Sequence, residues 1–257
     1  MYNHLLVNND TDSVSIMKQD RTPWTLDEQQ SFLDELNNLF PELINFANDG
    51  YFKRFIVLKS KNYILYDGKK IKTKGSSIRD QKKEPALLNM IDDIVNALVF
   101  DATTEDLRAI YHKYIHEAMN VTDIKRWCSK KTITESILDC RGWTPEDVAT
   151  KRLRMNEISV WEAIKHLDDI QSGNKCYVFP TKELISRTET IQKNGKVKVK
   201  EEYSYTLKEL SQWNGTQDNE HLVDRVYKTL EIFSKVLDMN AFIDYTVKKN
   251  KHLLEML

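Results

Sequence analysis

The apolar residues of this chain change their spacing at about residue 83, and that change limits what can form on either side of it. Ahead of it they come in short β-type runs, Leu5-Leu6-Val7, Val14-Ser15-Ile16, Phe55-Ile56-Val57-Leu58 and Tyr63-Ile64-Leu65-Tyr66. After Pro85 they take helical spacing: Leu87, Leu88, Ile91, Ile94, Val95 and Leu98, then Leu107, Ile110, Tyr111, Tyr114 and Ile115. Val160, Trp161, Ile164 and Leu167 mark a further helix, and a last one runs from about His221 through Phe233 and Val236. The expected class is α+β, with a small antiparallel sheet-plus-helix unit over 1–83 and a mostly helical unit over 84–257. The second unit also carries a hairpin within 176–206, turning at Asn194-Gly195.

Turn chemistry places the remaining joints of the first unit. Asn8 to Ser13 form a polar tip between two strands, and Asp67-Gly68 turns a strand back towards Lys70-Ile71-Lys72. Thr25 with Glu28 three residues on reads as a capping box. It opens a helix whose apolar face holds Phe32, Leu33, Leu36, Leu39 and Phe40. At 257 residues with 40% apolar content the chain has enough apolar mass for a packed core. It has no 18-residue apolar run, so a cytoplasmic protein without a membrane partner is expected. Cys128, Cys140 and Cys176 show no CxxC pairing and read as reduced, partly buried thiols.

A net charge of −1 hides a segregation along the chain. Residues 53–83 hold eleven Lys or Arg against Asp67 and Asp80, a local balance of +9, so the rest sums to −10. A concentrated basic segment suits a polyanion, although a solvated basic loop has the same composition. In Leu58-Lys59-Ser60-Lys61-Asn62-Tyr63, a strand period of two puts Lys59, Lys61 and Tyr63 on one face. Such a row sets ammonium groups against successive phosphates, with the tyrosine on a sugar or base edge. Gly75, following Lys72 and Lys74, lets backbone come close to a phosphate. The competing account is an edge strand protected by lysines.

At the first hairpin tip, Asp10-Thr11-Asp12 places two carboxylates two residues apart, the kind of donor that hard cations take. A polar turn that binds nothing has the same pattern, and so do sugar-nucleotide transferases. An EF-hand does not fit, because Ser13 stands where the loop needs Gly and Gln19 where it needs Glu.

Order and spacing narrow these alternatives. Asp10-Thr11-Asp12-Ser13 followed by Val14 resembles motif C (Y-G-D-T-D-S) of family B DNA polymerases, in the form that bacteriophage enzymes carry. About fifty residues on, Lys61 and Tyr63 match two positions of that family's K-K-x-Y primer-binding motif. Lys74-Gly75 with Arg79-Asp80 resembles the K-G…R-D segment downstream. Trp127 to Thr134 and Gly173 to Val178 are similar to two thumb segments. The chain departs from the pattern at Asn8 and Asn9, in place of Tyr and Gly, and at Ser60, in place of the first lysine.

The resemblance implies a palm remnant over 1–83 and a thumb over 84–257. It makes Asp10 a catalytic Mg²⁺ ligand and Asp12 a supporting one. Lys59, Lys61 and Tyr63 would grip the primer terminus, and Lys74, Gly75, Arg79 and Lys131 the duplex. The reaction implied is template-directed nucleotidyl transfer from dNTP to primed double-stranded DNA, as in DNA replication, at a two-metal site. Motif A (D-x-x-S-L-Y-P), motif B (K-x-x-x-N-S-x-Y-G) and an exonuclease D-x-E segment have no counterpart among these residues. The expectation is therefore a chain active only beside an N-terminal polymerase chain carrying motifs A and B, with or without the exonuclease. The rivals are a non-catalytic DNA-binding thumb and a D-x-D glycosyltransferase, which should open with an α/β nucleotide-binding fold.

Other residue types point to structure and not to chemistry. His112 and His116 are four apart on a helix without the Glu of an H-E-x-x-H site. Cys128 has basic neighbours but no catalytic partner pattern. Trp127, Trp143, Trp161 and Trp213 read as core anchors.

Overall fold

The structure is a computed structural model that describes residues 4–10, 13–151, 153, 155–191 and 197–245. The first polar tip joins β1 (His4–Asn9) to β2 (Val14–Lys18) as an antiparallel pair. The Asp10 N–H donates to the Ser13 carbonyl at 2.9 Å. The capping box forms as expected at α1 (Leu26–Asn38): the Glu28 N–H donates to Thr25 Oγ1 and the Thr25 N–H to Glu28 Oε2, at 3.2 and 2.8 Å. The Lys18 ammonium donates to Glu28 Oε1 at 2.6 Å and ties the hairpin to the helix. A two-stranded ribbon and one helix bury little between them. No described residue before Leu58 is fully buried.

Next comes a three-stranded antiparallel sheet, β3 (Arg54–Lys59), β4 (Asn62–Tyr66) and β5 (Ile71–Lys74), in that order. Its Asp67 turn is held by the carboxylate, which accepts the Lys69 and Lys70 N–H groups at 2.7 Å each. A single helical turn, α2 (Ser76–Arg79), leads to α3 (Pro85–Val99) and α4 (Thr104–Met119). Leu58, Ile64 and Ile78 share one buried cluster with Met90 and Ile94 of α3, and with Tyr111 and Tyr114 of α4. The core therefore runs across residue 83, where the type of element changes while the packing continues.

A second cluster forms around Trp161. It gathers Ile133, just after β6 (Ser129–Thr132), with α5 (Glu135–Leu138), α6 (Pro145–Lys151), α7 (Met155–Ile164) and the buried Cys176 and Val178. The Trp161 Nε1–H donates to the Cys140 carbonyl at 2.8 Å, which satisfies the buried indole. Trp127 is also fully buried, while Trp143 and Trp213 pack half-buried against the two clusters, so all four serve as anchors. The expected hairpin is a long one, β7 (Lys175–Ile191) with β8 (Val197–Glu209), laid beside β6; its Asn194-Gly195 tip lies outside the described residues.

The chain returns to the first core through α8 (Asn219–Leu230), shorter than the periodicity suggested. Arg225 of α8 makes a bidentate pair with the buried Glu84 just ahead of α3, at 3.0 and 2.8 Å. Burial works against the Arg225 charge, but Glu84, with Asp224 and Asp80, outweighs it and holds the guanidinium pKa above its ordinary value. Every strand pairing among the described residues is antiparallel. No helix among them is long and apolar enough to cross a membrane.

Candidate functional site

The tip of the first hairpin meets the tip of the next one. Asp10 Oδ1 lies 3.7 Å from Lys61 Nζ, and the lysine side chain is 69% exposed against 26% for the aspartate. Asp10 is also close enough to Tyr63 to raise the phenol pKa together with burial, which is the larger cause; the Asp49 carboxylate adds to it. Two stretches about fifty residues apart are thus placed side by side.

The strand geometry that leads there differs from the sequence expectation. Residues 58–63 are not one strand, because β3 ends at Lys59, β4 begins at Asn62, and Ser60-Lys61 is the turn between them. Lys61 takes a left-handed φ of 58°, so alternation breaks at that residue, and a register shift separates Val57 from Lys59. Lys59, Lys61 and Tyr63 therefore do not form a row on one face. Lys61 stands at a turn tip instead, where its ammonium reaches Asp10. Tyr63 is aligned with Lys74 across the β4–β5 pair, on the same sheet face, and stacks on Phe55 with ring centroids 5.1 Å apart.

Gly75 has a different reason from the expected one. Its φ is +110°, and a Cβ there would sit 2.3 Å from Asn62 Oδ1 and 2.5 Å from the Lys61 carbonyl oxygen. The group that approaches this glycine is the side chain of Asn62. That side chain is buried: its Nδ2–H donates to the Ser60 carbonyl at 2.9 Å, and its Oδ1 accepts the Ser77 N–H at 3.1 Å. Asn62 therefore locks the turn that carries Lys61 to the start of α2. In the K-K-x-Y pattern Asn62 falls at the x, which gives it no role. Its signal was an amide next to a two-residue turn, where side-chain hydrogen bonds to backbone are common.

The duplex-gripping candidates lie beyond this lock. Arg79 is exposed, with its Nε–H donating to Thr73 Oγ1 at 3.1 Å. Ser76, Ser77, Arg79, Asp80, Gln81 and Lys82 line a shallow recess of about 670 Å³ that opens to solvent. The Lys130 N–H donates to the Lys82 carbonyl at 3.0 Å, so β6 and its half-exposed Lys131 begin beside that segment. Arg79, Lys82 and Lys131 are thereby brought to one region, whereas Lys59 projects from the end of β3.

The donor set for a metal is partial. Asp12 lies outside the described residues, and no three His, Cys, Asp or Glu side chains gather into an ion site among those described. Mg²⁺ demands several oxygens in near-octahedral array. Asp10 alone does not meet that demand, so the residues described here fit a part of such a site and not the whole.

The thiols stand apart from this region in chemistry as well. All three cysteines are buried, and burial pushes Cys128 up to about 12 and Cys176 up to about 11. Neither carries nucleophilic thiolate near neutrality. No protein-family model matches the chain, and no curated protein is detectably similar to it in sequence.

Proposed function

We propose that the chain is the C-terminal palm and the thumb of a family B DNA polymerase, supplying one catalytic carboxylate and the grip on primed DNA. The observation that carries the reading is the meeting of Asp10 with Lys61, beside Tyr63, from separate hairpins. A carboxylate that serves phosphoryl transfer must sit close to the primer terminus, and a bare carboxylate repels phosphate. An ammonium 3.7 Å away offsets that repulsion and is itself a phosphate donor. Exposed pairs of this kind hold weakly, about 0–1 kcal/mol, so Lys61 is free to exchange partners. Lys74 beside Tyr63, then Arg79 and Lys131, extend the positive surface along the path of a duplex.

A two-metal site would stabilise the attacking and leaving oxygens. Asp10 would provide one ligand for it, and the others, with the triphosphate grip, would come from residues that carry motifs A and B. The strand pairings among the described residues are all antiparallel, which supports the polymerase reading over a D-x-D glycosyltransferase with its α/β nucleotide-binding unit.

The test has two parts. Binding of a primed duplex should fall steeply with salt, with a log–log slope of roughly −0.9 per phosphate neutralised, and Lys61→Ala should weaken it alike on every sequence. Co-expressed with a polypeptide carrying motifs A and B, the chain should extend primers; Asp10→Asn should abolish extension and spare DNA binding. Extension at the wild-type rate by Asp10→Asn refutes the motif C assignment. If Asp10→Asn and wild type bind DNA alike and neither extends primers, the non-catalytic binder is the better reading.

A further inference from the structure

We propose that Asn214 is a site of self-modification: the Gly215 main-chain nitrogen attacks the Asn214 side-chain amide, ammonia leaves, and the residue becomes aspartate and isoaspartate. This chemistry requires nothing of the polymerase reading.

The loop 213–218, ahead of α8, holds the reacting groups together. Asn214 and Gly215 are both exposed. The Thr216 hydroxyl donates to Asn214 Oδ1 at 2.6 Å. A side-chain oxygen tied to the second residue on brings its amide carbon over the intervening peptide, whose nitrogen is that of Gly215. The Gly215 N–H makes no hydrogen bond among the described residues, so the nucleophile is not engaged elsewhere. Gly215 has φ +87°, and no atom lies within 4 Å of the place a Cβ would take, which leaves room for the attack and for water. The Thr216 hydroxyl also polarises the carbonyl under attack and stabilises the oxyanion that forms on it.

The bonds balance without an oxidant or cofactor. The Gly215 nitrogen gives its proton to hydroxide and bonds to Asn214 Cγ, closing a succinimide ring. The Cγ–Nδ2 bond breaks, and Nδ2 takes up a proton and leaves as ammonia. Water then opens the ring. Addition at Cγ restores the main chain with an aspartate, whereas addition at the Asn214 carbonyl carbon routes the main chain through Cβ and Cγ as isoaspartate.

The other described steps of Asp before Gly are held out of this reaction. The Gly50 N–H donates to Asn48 Oδ1 at 2.9 Å and is not free beside Asp49. At Asp67 the carboxylate accepts the Lys69 and Lys70 N–H groups at 2.7 Å each, and an ionised carboxylate so held is a poor electrophile. The second Asn-Gly step of the sequence, Asn194-Gly195, lies outside the described residues.

The loop that changes is a joint. The Trp213 Nε1–H donates to Gln217 Oε1 at 2.8 Å, and Gln217 bridges to Thr181 of β7. The Asp218 N–H donates to the Pro180 carbonyl at 2.9 Å, and its carboxylate caps α8 by accepting the His221 N–H at 3.0 Å. Isoaspartate lengthens the main chain inside that closure and loosens the seat of α8 against β7.

The test incubates the full chain at mildly alkaline pH and physiological temperature. Its peptides are mapped by mass spectrometry, and isoaspartate is labelled with an isoaspartate-specific methyltransferase. Expected are conversion of Asn214 from amide to acid and label in the same peptide, with none at Asp49 or Asp67. Thr216→Val should slow conversion about two- to tenfold, the worth of one hydrogen bond on the reacting carbonyl, while Thr216→Ser keeps the wild-type rate. Asn214→Gln should keep its amide, and converted protein should lose amide protection at Asp218. An Asn214 amide still intact once Asn194 has converted fully overturns the proposal, and so does label at Asp49 or Asp67 with none at 214. Equal rates in wild type and Thr216→Val, at equal thermal midpoints, would mean that the fold gives Asn214 no help, which also overturns it.

Discussion

Replacing Gly75 with alanine tests the lock behind Lys61, and the cost can be worked from the geometry. At φ +110° and ψ 146° the residue sits where side chains other than glycine are strained, at about 1–3 kcal/mol. The new methyl would also sit 2.3 Å from Asn62 Oδ1 and 2.5 Å from the Lys61 carbonyl, so the buried amide must move. Moving it breaks its bonds to Ser60 and Ser77, worth about 1–3 kcal/mol for a buried polar group left unsatisfied. The expected loss is about 2–6 kcal/mol, severe for a domain stable by about 5–15 kcal/mol. Urea denaturation measures it, and a cycle with Asn62→Ala isolates the shared part. Asn62→Ala alone should cost about 1–3 kcal/mol, and the double variant at least about 1 kcal/mol less than the sum. Additivity within about 0.5 kcal/mol would show that Gly75 is not there to admit Asn62. A surviving Gly75→Ala protein should also bind primed DNA more weakly, because the turn holding Lys61 has shifted.

Two further expectations concern ionisation. Glu28 is held down to about 2 by the Lys18 ammonium first and the Thr25 N–H second. Its folded pKa lies below the ordinary 4.5, so its contribution is complete above about 4.5 and is lost as pH falls through about 2. Amide protection at Thr25 and Glu28, corrected for the intrinsic pH dependence of exchange, should fall over that window, and pH-independent protection would refute the cap. Cys128 and Cys176, buried and pushed up to about 12 and about 11, should resist a disulfide reagent at pH 8 and react on unfolding. Rapid native labelling of either would contradict their burial.

How much of this was legible depended on the range of the interaction involved. Periodicity and turn chemistry are local, so the strands near 5–7, 14–16, 55–58 and 63–66, the Thr25 cap, the helices after Pro85 and the 176–206 hairpin could be read directly. The α+β class followed from them. The reading of 58–63 as a continuous strand came from alternation that looks the same whether or not a two-residue turn interrupts it. What turns the chain there is the left-handed Lys61, and that conformation is held by Asn62 reaching across to Ser77, fifteen residues away. Only the tertiary structure could also decide that the core runs through residue 83, since Leu58 and Ile64 find their partners on α3 and α4. The 3.7 Å approach of Asp10 to Lys61 is of the same kind. A sequence states which groups carry charge; which charges meet depends on how two hairpins are mounted on a common core, and that is settled by packing between residues far apart in the chain.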